Sequence, residues 1–600
     1  MTKYLFLFTI SPVQSFISQA RKTHDLWAGS TILAILCKTA IQTAKELGIN
    51  VVFPYIVEGV DSIPNRFIGT IESPDDTQFV NIGKKIEEKV QEKFREIAKA
   101  SLIKIEKPKY FNEQIDSHLE IYWLFNQCET NYSESYLEIE RLLGGLKNTR
   151  IFKQLPEQGR KCSLDGERNA LFFGGDSNPK YIEDNKAIEL DSDEALLNPN
   201  EGLSAVSFMK RNYQPEGSKR YKFDSTAKIA LMNYLEKIDK RKIDEYKTNF
   251  NGTKHFDEQL CYAENLNQSY FKKQGLKKEI YNLEHIQKLH KEIFGHKELP
   301  KYYALVIFDG DRMGKLLSGE FINVDKRKDE LEKFQTKLSE LLGNYAKQVI
   351  KYLQAPKGKY VYAGGDDFLG FVNLDHLFDV LDWLRSTFET DVNLKLKNEF
   401  QTILDSKFDF TFSAGVVIAH YKMPLHYVLQ KVRSAEKKAK DEGRNRLCIN
   451  VLKHSGEAHE AVVKWNLYKS ESQSIHNIRQ IVASMQNKGR EAAPFSETYI
   501  RKFESEILKL TNNGKLKNED NLKLLSIAEA EIHRLMMRSS SPSQSKEVRK
   551  QKSEELKNNI LYFFEREKKG ILEEADINNL LQLMKICLFL NNKIKKYESS

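Results

Sequence analysis

Apolar and polar positions along the chain change period several times. Tyr4–Ile10 is an unbroken aromatic and branched run of strand length. Ser11-Pro12-Val13-Gln14 follows as a helix start, with Ser11 as the cap, Pro12 in the first turn and Gln14 closing a capping box. Helical spacing then runs from about Ala28 to Leu47, where Gly48 stops it. Val51–Phe53 and Phe67–Glu72 read as strands. Ser73-Pro74-Asp75-Asp76 reads as the acidic opening of another helix. Strands alternating with helices predict an α/β layer. From about Ser101 to Leu299 the pattern is mixed and rich in aromatics, interrupted by loops such as Gly174–Pro179 and Leu197–Gly202. A helix-rich insertion is expected there.

The alternation returns at Tyr302. Tyr303–Phe308 is a strand ending in Asp309-Gly310-Asp311, and a long helix fills about Lys326–Tyr352. Lys359–Ala363 and Phe368–Val372 flank Gly364-Gly365-Asp366-Asp367. A helix, a strand from Asp409 to Ala419, a helix over about Pro424–Asp441 and a last strand at Arg446–Val451 complete the unit. The order is read as β-α-β-β-α-β, a recurrent split motif. The N-terminal region has a similar outline, so the chain reads as an internal duplication. Past about His454 the pattern is polar and helical. Ser539–Ser545 reads as a Ser/Pro linker, and the stretches around Ser496–Met537 and Ile571–Lys596 read as a small helical bundle.

Composition narrows the class. The chain has 600 residues, 40% hydrophobic and 11% aromatic, which excludes a wholly disordered chain. Six cysteines are too few for a disulfide scaffold. No apolar run approaches the ~20 residues of a membrane span. A cytoplasmic protein with reduced thiols is expected. The net charge of +9 permits nucleic-acid binding without demanding it.

Gly364-Gly365 between two strand runs marks a tight hairpin, because such turns need positive φ. Its two acids read either as a solvated turn or as a site. Asp309-Gly310-Asp311 tips the balance, because the first strand of such a sheet lies beside the central hairpin. Asp309, Asp366 and Asp367 would then converge at one sheet end. Facing carboxylates repel unless a cation lies between them, and hard oxygen ligands suit Mg²⁺ or Mn²⁺. Two such ions about 4 Å apart serve phosphoryl or nucleotidyl transfer. Met313-Gly314-Lys315 offers amides and a cation to a triphosphate. Lys437 and Lys440, at i and i+3 on one helix face, read as a phosphate clamp or a solvated face. Ser413-Ala414-Gly415 leaves room for a base or ribose, or permits close packing.

These residues resemble the large palm-polymerase subunit of type III-B CRISPR effector complexes, in the form lacking an N-terminal HD nuclease domain. The resemblance rests on Ile10-Ser11-Pro12-Val13-Gln14-Ser15-Phe16-Ile17, Ala20-Arg21-Lys22-Thr23, Asp25-Leu26-Trp27-Ala28-Gly29-Ser30 and Pro64-Asn65-Arg66-Phe67. It continues in Phe308-Asp309-Gly310-Asp311-Arg312-Met313-Gly314-Lys315, Gly364-Gly365-Asp366-Asp367, Ser413–His420 and Gly443-Arg444-Asn445.

It implies an α+β fold with two ferredoxin-like palm domains. The expected parts are an N-terminal palm without a catalytic hairpin over 1–160, a helix-rich middle domain over 161–299, a catalytic palm over 300–454 and a helical domain over 455–600. It implies a nucleotidyltransferase that makes an adenylate second messenger from ATP when target RNA pairs with crRNA. The first choice of product is cyclic oligoadenylate; joining AMP to S-adenosylmethionine is the alternative, and a non-catalytic RNA-binding scaffold the third reading. Asp309, Asp366 and Asp367 map onto the metal site. Gly310, Asp311, Gly314, Lys315, Gly364, Gly365, Ser413, Lys437 and Lys440 are the expected ATP-binding set, with Asp311 alternatively holding the turn. Expected partners include the small helical subunit and the crRNA-handle-binding subunit, and no membrane.

Between Val51 and Phe67 the first palm offers Glu58, Asp61, Asn65 and Arg66, so Asp61, Asn65 and Arg66 are acceptor-site candidates. The strand at Tyr4 leaves no room for an HD nuclease domain, and His24-Asp25 lacks further metal-spaced histidines; no such activity is expected. Cys162-Ser163-Leu164-Asp165, with Cys261 distant, is a degenerate zinc motif, and zinc is not expected.

Overall fold

The computed structural model describes residues 1–594 except 104, 129–130, 150–156, 191–196, 219–220, 252–254, 275, 277–280, 296–297, 467–472, 487–494, 496, 511–529, 532, 539–544 and 564–573. Its first sheet has the order β2-β3-β1-β4, with every neighbouring pair antiparallel. The strands are β1 (Thr2–Ser11), β2 (Asn50–Phe53), β3 (Arg66–Ser73) and β4 (Glu120–Gln127). Helices α1 (Thr23–Glu46) and α2 (Phe79–Ser101) make the crossovers and pack together.

The unbroken apolar run of β1 has a physical cause: both faces are buried. Tyr4, Phe6, Phe8 and Ile10 share a core with α1 and α2. Leu5 and Leu7 face the other way, into the core of a second unit. The second unit is fastened here by Lys3 to Glu332 at 2.6 Å and by Tyr132 Oη donating to Gln335 at 2.5 Å.

Between the two units lie a three-stranded sheet and several helices. The sheet has the order β6-β5-β7, from β5 (Phe172–Gly174), β6 (Ile188–Leu190) and β7 (Gly202–Leu203). The helix α3 (Ala205–Asn212) carries two cations into the first unit. Lys210 Nζ donates to the carbonyls of Phe16 and Gln19, both at 2.6 Å. Arg211 grips Asp25 at 2.5 and 2.9 Å and also reaches Glu201 at 3.2 Å, all three side chains being buried. Burial alone would raise the Asp25 carboxyl; the Arg211 guanidinium outweighs it and holds the group well below the usual range.

The second unit is a six-stranded sheet of order β13-β12-β11-β8-β10-β9. In chain order its elements are β8 (Tyr302–Gly310), α4 (Met313–Leu317), α5 (Val324–Tyr352), β9 (Gly358–Ala363), β10 (Asp367–Asn373) and α6 (Leu377–Phe388), then β11 (Phe412–His420), α7 (Leu425–Asp441), β12 (Arg446–Leu452) and β13 (Ala458–Lys464). The centre, β11-β8-β10-β9, is antiparallel throughout; β12 is added parallel to β11 across α7, and β13 antiparallel outside it. The chain ends in helices, the last described being α8 (Glu574–Lys593), which lies on β13. Asn579 of α8 pairs the open edge of β13, accepting from Val462 N–H at 2.8 Å and donating to its carbonyl at 2.7 Å. No helix among the described residues is long and apolar enough to cross a membrane.

Several sequence expectations are corrected. Ser11 does not cap a helix: it is the last residue of β1, paired with Glu120, and the short helix begins at Gln14 without a side-chain cap. α1 begins at Thr23 rather than Ala28, because Asp25 accepts the Lys22 N–H at 3.0 Å and starts it. Asp75 accepts from Thr77 in a turn, and α2 starts at Phe79. Asp409 lies before β11, held by Lys397 and Asn393. β12 is not the last strand, and the sheet runs on to Lys464, past the expected boundary at 454. Strands β4 to β7 fall in the stretch read as helix-rich. The Ser/Pro linker lies outside the described residues except Ser545, which caps Lys546–Leu561.

Candidate active site

The hairpin between β9 and β10 forms where Gly364-Gly365 allows it. Gly364 N–H donates to the Asp367 carbonyl at 2.9 Å. Gly365 has φ +104°, and a Cβ there would lie 2.5 Å from the Leu342 carbonyl oxygen of α5, so no other residue fits. β8 runs alongside: Asp309 is the register partner of Asp367, and Gly310 N–H donates to the Asp366 carbonyl at 2.7 Å. Phe308 and Phe368 stack beneath, with centroids 5.1 Å apart. Three carboxylates thus stand at one sheet end, on two adjacent strands.

Their electrostatics are unfavourable as they stand. Asp366 is pushed up to about 7, first by burial and then by the charge of Asp309. Asp367 is raised well above the usual range by burial, then by Asp366 and Asp309. One amine answers them. Lys440 of α7 binds Asp309 and, at 2.7 Å, Glu436. Glu436 is itself raised by burial and by Asp309 and Asp311, against the pull of Lys440. Glu436 is a fourth acid at the site that the sequence analysis did not single out. Its spacing four residues before Lys440 was the available signal.

Among the described residues no three His, Cys, Asp or Glu side chains are gathered into a finished metal site. Asp309 is turned to Lys440, and the Asp367 carboxylate lies over Gly364. The donor set nonetheless fits a hard divalent cation: oxygen ligands from adjacent strand ends, two held in a raised, mutually repelling state, and an ammonium as stand-in counter-charge.

Asp311 is buried, and its carboxylate accepts from Thr411 Oγ1 and Ser413 Oγ, both at 2.7 Å, and from Asn445 N–H at 2.9 Å. It ties the end of β8 to β11 and to the turn after α7. Of its two readings, the turn-holding one fits the geometry. Ser413 is fully buried, and its hydroxyl is engaged by Asp311. Gly415 serves packing, since a Cβ there would strike the Val432 carbonyl of α7. Gly314 opens α4, with free space where a Cβ would stand. Lys315 forms an exposed pair with Glu320 at 2.8 Å. Of Lys437 and Lys440, only the second is placed on an acid of the site; Lys437 is exposed one turn earlier.

The acceptor candidates separate. Asp61 is exposed and 3.4 Å from Lys38. Asn65 donates to the Ile10 carbonyl at 3.0 Å, closing the first sheet, and Arg66 pairs with Glu140. Asn65 and Arg66 are thus both engaged in contacts within the fold. His24 and Asp25 also serve it: His24 contacts the Tyr213 carbonyl at 3.1 Å, and Asp25 is neutralised by Arg211. Cys162 contacts Ser207 Oγ at 3.4 Å, while Asp165 accepts from Ser204 and Ser207. Cys261 sits in a separate core.

The raised carboxylates carry a stability prediction. A carboxyl whose folded pKa exceeds its unfolded value of 3.8 destabilises the fold as it ionises. That cost is absent below about pH 4 and grows as the pH rises through the folded value, about 7 for Asp366. In metal-free buffer, Asp366→Asn with Asp367→Asn is expected to raise Tm at pH 8, by on the order of 2 °C. The gain should vanish at pH 4, and added Mg²⁺ should stabilise the wild type but not the variant. Melting curves with and without chelator check both signs; a variant less stable at pH 8 in metal-free buffer would contradict them.

Residues 302–448 match the family model described as Cas10/Cmr2, second palm domain, and residues 5–99 match CRISPR-associated protein Cmr2, N-terminal. The chain is 25% identical over 581 residues to the CRISPR system Cmr subunit Cmr2 of Pyrococcus furiosus, which covers 78% of this chain and 63% of that relative. The chain thus spans less than two thirds of that relative's length. Among solved structures it is similar to a type III-B Cmr-beta complex chain in the apo state, with TM-score 0.61 and 14% identity over 98% of this chain and 82% of that one. It is also similar to a Cmr-beta chain bound to cognate target RNA, with TM-score 0.59 and 14% identity over 91% and 79%. At such identity these likenesses speak for the fold: an α+β chain of palm type with a helical C-terminal region.

Proposed function

We propose that this chain is the nucleotidyltransferase subunit of a type III-B CRISPR effector complex. Pairing of target RNA with the crRNA guide would switch on synthesis of an adenylate second messenger, cyclic oligoadenylate, from ATP. The observation that carries the reading is the pairing of Asp309 with Asp367 at adjacent strand ends, within the stretch that matches the Cas10/Cmr2 second palm. In this reading residues 1–160 form a first palm without an acidic hairpin, and the sheet built on β8 is the catalytic palm. The carboxylates raised by burial and mutual repulsion are poised for cations rather than for the fold.

Asp309, Asp366 and Asp367 would hold Mg²⁺ or Mn²⁺. Bound there, the ions would ease deprotonation of the attacking ribose hydroxyl and neutralise the pyrophosphate that leaves. The new bond joins the hydroxyl oxygen to the α-phosphorus, and the bond to the β-phosphate oxygen breaks. Lys440 would exchange Asp309 for a phosphate oxygen. Gly364 and Gly365 let the hairpin backbone come close, and Asp311 keeps the end of β8 fixed through Thr411, Ser413 and Asn445.

The test is the rebuilt complex with crRNA, target RNA and α-labelled ATP, with and without S-adenosylmethionine. A target-dependent adenylate ladder indifferent to S-adenosylmethionine is the expected result. A product formed only with that compound would overturn the choice of acceptor. No nucleotide product under any condition would leave a scaffold role.

A further inference from the structure

The hairpin that carries Asp366 and Asp367 closes the outermost strand of its sheet. Among the described residues β9 is an edge strand, with β10 on one side and no strand on the other. Its last residue, Ala363, stands opposite Phe368, and the next hairpin bond is made by Gly364. The Ala363 N–H therefore points away from β10. It does not go to solvent: it donates to Ser62 Oγ at 3.0 Å.

Ser62 belongs to the other unit. It sits in the loop of residues 54–65 between β2 and β3, which lies across α5 and the hairpin. At one end of this loop the Tyr55 N–H donates to Ser339 of α5. Val57 and the Tyr55 carbonyl fill the space over Gly343, where a Cβ would lie 2.8 Å from the Val57 side chain. At the other end Asn65 is fastened to β1, through its side chain to the Ile10 carbonyl and through its own carbonyl to the Ile10 N–H. Beneath the loop is a small cavity of about 20 Å³ lined by Phe53, Tyr55, Val60, Ser62, Leu342 and Gly364. The turn is also tight against α5, since Gly365 rests on Leu342 of that helix. The acidic turn is thus held between α5 and a loop of the first unit.

We infer that the 54–65 loop is a strap from the first unit onto the catalytic hairpin, and that Ser62 is a positioning residue for Asp366 and Asp367, acting through Ala363. The inference rests on the active-site reading above and adds the route by which the first unit acts on that site. A change in the first unit that lifts the strap frees the one amide next to the turn, and the carboxylates lose their fixed spacing.

The experiment uses the full chain with Ser62→Ala and Ser62→Thr. Hydrogen exchange of the segment spanning Ala363 should quicken about fivefold in S62A, as for loss of one hydrogen bond, and return in S62T. Mn²⁺ uptake, followed by electron paramagnetic resonance with a non-hydrolysable ATP analogue, should weaken about threefold or more in S62A and recover in S62T. Melting temperature should stay level, which a general loosening would not allow. Unchanged exchange and unchanged uptake in S62A, in a wild-type chain that binds Mn²⁺, overturn the inference alone. A wild-type chain that binds Mn²⁺ no better than the D366A/D367A chain overturns the active-site reading, and the inference with it.

Discussion

Asp366→Ala with Asp367→Ala is expected to lower product formation from ATP by about a thousandfold or more, while the chain still folds and still binds RNA. The size follows from removing ligands that would position charge on both the attacking and the leaving oxygen. Survival of the fold follows from the electrostatics. Both carboxyls are raised by burial and by neighbouring carboxylates, Asp309 for both and Asp366 for Asp367, so the fold gains nothing from their charge. The turn itself is made by backbone, through Gly364 N–H to Asp367 carbonyl and Gly310 N–H to Asp366 carbonyl, and alanine keeps both bonds. Asp309→Ala should act from the opposite strand with a similar loss, leaving Lys440 paired with Glu436. Product analysis with labelled ATP, beside an RNA-binding measurement on the same preparation, checks both halves. Turnover at the wild-type level in the double variant would remove the site assignment.

The hairpin was legible because its constraint is local. A turn that needs positive φ at one residue and sits between two apolar runs writes Gly-Gly into the chain, and Gly365 at φ +104° is that residue. The approach of Asp309 was legible at one remove, because strand order follows from connectivity. What stayed illegible depends on partners distant in the chain. Nothing near Arg66 announces Glu140, and nothing near Ser62 announces Ala363. Ser413-Ala414-Gly415 shows a different limit. A nucleotide pocket and a tightly packed helix both ask for small residues, and only the position of α7 over Gly415 decides between them. β13 was missed because its seven residues are mixed in polarity: one edge is completed by Asn579, more than a hundred positions later. Asp25 likewise gave no sign of its partner, Arg211 lying in a region whose own pattern was mixed.

That pairing sets the second large expectation. Arg211→Met should destabilise the chain by about 3–5 kcal/mol at pH 7, because it leaves the Asp25 carboxylate buried without its guanidinium partner and Glu201 with only Arg21 at 3.7 Å. Methionine keeps much of the volume, so the loss is one of charge rather than of packing. The sign with pH separates this from a cavity. In the wild type Asp25 is held below its unfolded pKa, so its contribution is full above about pH 4 and fades only in stronger acid. Without Arg211, burial is opposed only by the Lys22 N–H and the charge of Lys210, so the same carboxyl rises. The variant's deficit should then shrink as pH falls from 7 towards 4, where Asp25 can take up a proton. Adding Asp25→Asn to Arg211→Met should recover part of the loss at pH 7. Denaturant titrations of the three chains at both pH values measure it. A deficit below 1 kcal/mol, or one that grows towards pH 4, would mean that the Asp25–Arg211 pair does not fasten the middle region to the first unit. Its geometry says that it does: both side chains are fully buried, two bonds run from one guanidinium to one carboxylate, and α1 starts from the same aspartate.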